Sequence, residues 1–328
     1  IEKQKIEDVA LFSLSAENSY AGFGGKKMPE ALWNGVILAD IFEEIYSMIL
    51  TNAAHKTAAL SVFEECWRKI IEINENISEI GELSGMIESI AEKLKHIPVS
   101  RSLEETPVVL IAGEIYVRHD DISRQYLVEE LASRGFAAKV ASLSEWIYYT
   151  GWCVQNKVAT GNHAMKERLA LRIRTYFMKK QEKRLRSILA KSGLCSAACE
   201  DVDHILSHSA HLMKKELVGE AILTIGTSIN EVLDRYCGVI AIGPFGCMPN
   251  RLAEAVLTRE MTREGKLETG RGEAFMKALG DRIDVLPFLA IESDGNRFPQ
   301  IITARLEAFT LQAARMHHLM AGFSDAGT

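Results

Sequence analysis

The sequence predicts an α/β fold: a doubly wound parallel sheet with substantial additional helices. Two observations carry this. Residues 108–112, 239–243 and 287–291 are apolar runs of strand length, and 136–141 is another, broken only by Lys139. Such runs mark strands covered on both faces, where no side chain meets water. The stretches between them are mostly helical in spacing, and β-loop-α-β order is the unit from which such sheets are built.

The elements follow in chain order. Residues 9–14 read as a short strand, followed by a turn at Gly22, Gly24 and Gly25 and by Pro29. Over 30–51, Leu32, Val36, Ala39, Ile41, Ile45 and Ile49 recur at helical spacing, and further helices are expected over 55–77 and 79–95. Pro98 and Pro107 bracket a linker. Residues 1–98 are therefore expected to be the remainder of a first α/β domain, mostly helical. Residues 107–328 are expected to form a second α/β domain with a helical insertion. In that domain a helix over 125–134 stops at Gly135, a residue suited to a C-terminal cap. The stretch 163–191 is long, basic and helical, and helices are also expected over 207–215, 219–236, 250–259 and 303–320.

Composition narrows the function. Hydrophobic residues at 47% and charged residues at 25% are those of a folded globular chain, and a net charge of −6 argues against a general nucleic-acid binder. No apolar run reaches the roughly 20 residues that a membrane helix needs, so no membrane partner is expected. The six cysteines, 66, 153, 195, 199, 237 and 247, are too sparse for a disulfide scaffold. A cytoplasmic location with free or metal-bound thiols is expected. The first residue is Ile1, and the chain reads as part of a longer polypeptide.

Parallel sheets bind ligands beyond the carboxyl ends of their strands. Three loops are expected there: 113–118, 243–249 and 292–295. They offer Glu114 and Glu292 as candidate acids or bases, Gly113, Gly243 and Gly246 for close backbone approach, and Cys247 as a thiolate. Cys247 is the sharpest feature, since a helix N-terminus following a Gly/Pro-shaped loop favours negative charge on sulfur. A buried turn cysteine is the plain alternative. Cys195 and Cys199, followed by His204, His208 and His211, have the residue types of a zinc site. The histidine spacings of four and three instead suit residues along one helical face, and the cysteine pair lacks the usual two-residue gap and a turn glycine. The glycines at 22–25 and 243–246 match no nucleotide-binding motif, and the basic run 179–186 reads as a solvated helix face.

The segments Gly113-Glu114-Ile115-Tyr116-Val117-Arg118, Ser144-Glu145-Trp146-Ile147-Tyr148-Tyr149 and Gly243-Pro244-Phe245-Gly246-Cys247-Met248-Pro249 resemble the dehydratase-like part of the acyl-CoA dehydratase activases. That group is related to the 2-hydroxyacyl-CoA dehydratase and benzoyl-CoA reductase subunits. Leu32-Trp33-Asn34-Gly35-Val36-Ile37-Leu38-Ala39-Asp40 and Arg305-Leu306-Glu307-Ala308-Phe309 fit as well, so the resemblance spans nearly the whole chain. It implies flavodoxin-like α/β domains, an oxygen-sensitive iron–sulfur cluster held by cysteines, an ATP-dependent activator that can sit on the same polypeptide, and CoA-ester chemistry. It matches Cys247 to the C-terminal family cysteine. The remaining ligands lie, in the family, upstream of the point where this chain begins, so a cluster is expected in the intact protein and not on this fragment.

The leading expectation is thus a fragment of a dehydratase-like iron–sulfur protein in low-potential electron transfer. The second is a non-catalytic scaffold that docks the activator ATPase. The third, a thiol hydrolase with Cys247 as nucleophile, needs a base, and no histidine lies nearby in sequence.

Overall fold

The structure is a computed structural model, described here for residues 27–76, 80–158, 164–270, 273–279 and 283–326. The expected strand at 9–14 and the glycine turn at 22–25 lie outside these residues.

Four strands form one sheet: β1 (Val108–Gly113), β2 (Ala137–Val140), β3 (Gly238–Pro244) and β4 (Phe288–Ser293). All pairings are parallel, in the order β2-β1-β3-β4. This is the flavodoxin-like order over its first four strands. Each apolar run of the sequence became a strand, and the central ones are buried along almost their whole length.

Before the sheet come α1 (Lys27–Asn52), α2 (Lys56–Asn76) and α3 (Ile80–Lys95). They share one continuous apolar core with the sheet, from Ile37, Ile41 and Ile45 through Ile111 and Ile240 to Phe309 and Met316. The segment 98–107 is bound back onto α1: Ser100 N–H donates to Asn52 O, and Arg101 donates to the Asn52 side chain and to Gly135 O.

The remaining helices are α4 (Ile115–His119), α5 (Leu127–Ser133), α6 (Leu143–Gln155), α7 (Met165–Leu189), α8 (Val202–Ser209), α9 (Glu220–Glu231), α10 (Met248–Glu260), α11 (Arg263–Glu268), α12 (Glu273–Leu279) and α13 (Gln300–Ala326). Several differ from expectation. The stretch 113–118, read as a loop, runs into α4 from Ile115 onward. Helix α6 had no expected counterpart. Helix α8 starts earlier and ends earlier than 207–215. Helix α9 ends at Glu231 rather than Tyr236, because Val232 is extended and Leu233 takes a left-handed φ of 69°.

Buried charge crosses the helix–sheet boundary. Glu44 of α1 pairs with Lys139 of β2 and with Arg186 of α7, which also bonds Glu182. Burial pushes the Glu44 carboxyl up, but the two cations hold it down at about 2. Ion pairing of this kind compensates the desolvation of charges that would otherwise be prohibitive inside a core.

Candidate site at the carboxyl edge of the sheet

In the order β2-β1-β3-β4 the chain winds in opposite senses on the two sides of β1 and β3, so the crevice between their carboxyl ends is the natural ligand position. Backbone defines its floor. Gly113 has φ +115°, and a Cβ there would stand 2.0 Å from Ile242 O. Glu114 N–H donates to that same carbonyl at 2.9 Å. The glycine is therefore required by the close approach of β1 to β3. Gly243 is required by packing: a Cβ would lie 2.5 Å from Asn250 Cγ. Gly246, with φ +75° and open space around it, forms the turn before α10.

Glu114 is the N-cap of α4, accepting from Val117 N–H at 2.8 Å. Glu220, at the start of α9, accepts from Ile115 N–H at 3.2 Å. Burial first, and then repulsion from Glu114, raise the Glu220 carboxyl above its usual range. Behind this pair Arg118 is buried, and its guanidinium donates to Gly113 O at 2.7 Å and to Ser142 O at 3.2 Å, tying the ends of β1 and β2 together. Glu145 of α6 is buried beside it. One Glu145 oxygen accepts from Thr227 at 3.0 Å, while Oε2 has no partner. Burial drives this carboxyl up to about 7, with Arg118 pulling the other way.

Cys247 is the N-cap of α10, with its N–H bonded to Pro244 O and its side chain partly exposed. Phe245 and Met248 flank it at 77% and 79% exposure. The other cysteines sit elsewhere. Cys66, Cys153, Cys195 and Cys237 are buried, and burial raises all four thiols, Cys195 and Cys237 to about 12. Cys199 is exposed, yet local desolvation and then Glu182 raise its thiol too.

The expected site residues thus fall on adjacent strand ends, Glu114 after β1, Cys247 after β3 and Glu292 on β4, where Glu292 pairs with Arg251 at 3.3 Å. A cavity of about 260 Å³ between the loops after β3 and β4 is lined by Glu292, Phe245, Arg251 and Arg305; Glu114 and Cys247 are outside its lining. Sequence reading missed Glu220, Thr227 and Asn250. Asn250 is buried with neither amide atom bonded, and only the packing against Gly243 reveals it.

The His204 and His208 rings meet at a tilt, with their Nε2 atoms 3.2 Å apart, and His208 Nδ1 lies 2.8 Å from Thr269 O. Among the described residues no three His, Cys, Asp or Glu side chains come together as a metal site requires. No helix among the described residues is long and apolar enough to cross a membrane. No family model, curated protein or solved structure matches the chain.

Proposed function

We propose that this chain is part of a dehydratase-like iron–sulfur protein, in which Cys247 gives one thiolate to a cluster whose other ligands come from outside the chain. The observation that carries the reading is the placement of Cys247. It sits partly exposed at the N-terminus of α10, at the carboxyl end of β3, while Cys66, Cys153, Cys195 and Cys237 are buried and Cys199 lies in the segment before α8. A helix N-terminus favours the thiolate that binds iron. Phe245 and Met248 are apolar side chains that can shield such a cluster from water, which tunes its potential. An ATP-dependent activator supplies the electrons in this reading, and the substrate class is a CoA ester or a related acyl compound. Glu114 and Glu292 are the candidate proton-transfer groups, and a cytoplasmic location goes with this reading.

A second reading, a docking scaffold for the activator, draws on the exposed Tyr116, Phe245 and Met248 at the same edge. Iron and acid-labile sulfide analysis of the native polypeptide that carries this chain, purified without oxygen, separates the two. Stoichiometric iron and sulfide are expected; their absence leaves the scaffold.

A further inference from the structure

Helix α7 is basic in sequence, and a solvated polar face is the simple expectation for it. Its N-terminal half is different. Arg168 bonds Gln155 O, and Leu171 and Thr175 lie against Gly151, so one side of the helix rests on α6. The opposite side carries Met165, Leu169, Ile173, Tyr176 and Phe177, each more than half exposed. These positions recur every three or four residues and form one ridge about 18 Å long at 1.5 Å per residue. Arg172 lies along one side of it and Lys166 and Lys180 stand at its two ends, all three exposed. Residues 165–184 contain eight Lys or Arg and two Glu, a net +6 in a chain of net −6, so the rest of the chain carries −12.

We propose that this outward face of α7 docks on an anionic lipid surface, lying in the headgroup layer without spanning it. An apolar ridge flanked by Lys and Arg, with aromatic and aliphatic anchors, is the physical signature of an interfacial helix. The charge asymmetry turns α7 toward a negative surface and the acidic body away from it. A second copy of the chain is a poor occupant, since two such faces in contact set basic flank against basic flank. A protein partner is less well matched too. Stable protein interfaces bury about 800 Å² on each side, more than this short ridge of five side chains on one helix presents.

The test is flotation of the chain with vesicles of phosphatidylcholine alone and of equal phosphatidylcholine and phosphatidylserine, at low and high salt, with sedimentation velocity alongside. Binding to the phosphatidylserine vesicles and little to the neutral ones is expected, weakening as salt rises. The exposed-site variant Leu169→Glu/Ile173→Glu abolishes it. Lys166→Gln and Arg172→Gln each weaken it about fivefold, and circular dichroism confirms that each variant is folded. Binding to neither vesicle overturns the proposal and leaves an acidic protein as the occupant; equal binding to both overturns it by showing that the anionic charge is not what the face recognises. Self-association that Leu169→Glu/Ile173→Glu removes overturns it in favour of a second copy.

Discussion

At the scale of single residues, Glu145 gives the most direct check on the buried edge of the crevice. Its folded value of about 7 lies above the 4.5 of a free carboxyl. Folding therefore favours the protonated form. Stability falls as pH rises from about 4.5 and levels off above about 7, a loss on the order of 3 kcal/mol. Glu145→Gln mimics the neutral acid. Denaturant unfolding should show the variant matching the unmodified chain at pH 5 and exceeding it by a few kcal/mol at pH 8. An equal pH response in both proteins would show that Glu145 is not held neutral. Gly113 makes a second check. An alanine there meets Ile242 O and must keep a φ of +115°, so Gly113→Ala should cost more than about 3 kcal/mol or prevent folding. Gly246→Ala, with the same handedness but open space, should cost only about 1 kcal/mol.

At the scale of elements, the strands were legible and several helix ends were not. A strand buried on both faces writes itself as an apolar run, which local reading detects. Helix α6 does not begin on its own cap. Leu143 N–H and Ser144 N–H donate to the two oxygens of Asp40, a residue of α1 about a hundred positions away. Helix α9 ends under the same kind of control, because Lys266, fully buried, donates to Ile229 O and Asn230 O as well as to Asp234. No window of local sequence contains these partners. Asp40→Ala should therefore destabilise the chain by about 1–3 kcal/mol, with amides 143–146 losing hydrogen-exchange protection first. Uniform loss of protection across the chain would mean that α6 does not depend on this cap. The site was legible to a similar degree. The Gly/Pro loop singled out Cys247 in the sequence, whereas the need for Gly113 where β1 meets β3 and the place of Glu220 appear only where segments about a hundred positions apart meet, and Asn250 enters through its packing on Gly243.

At the scale of the whole molecule, the sheet order puts the β1/β3 crevice at one end, and the Glu44–Lys139–Arg186 group ties the helices α1 and α7 to β2. Glu44 is held at about 2 against 4.5 when free. Its contribution, about 3 kcal/mol, is fully present above about pH 4.5 and is lost as pH falls toward 2. Acid unfolding should begin near pH 4, and Glu44→Gln, which takes the carboxylate from buried Lys139 and leaves Arg186 with Glu182 alone, should cost about 3–5 kcal/mol at neutral pH. The larger claim is that the open end of the sheet presents Cys247 to iron. Its most direct test is iron content and visible absorption of the native polypeptide carrying Cys247→Ala, prepared without oxygen beside the unmodified protein and Cys199→Ala. Loss of iron and absorption in Cys247→Ala alone is predicted; iron and absorption equal to those of the unmodified protein would contradict the account and leave Cys247 a turn residue.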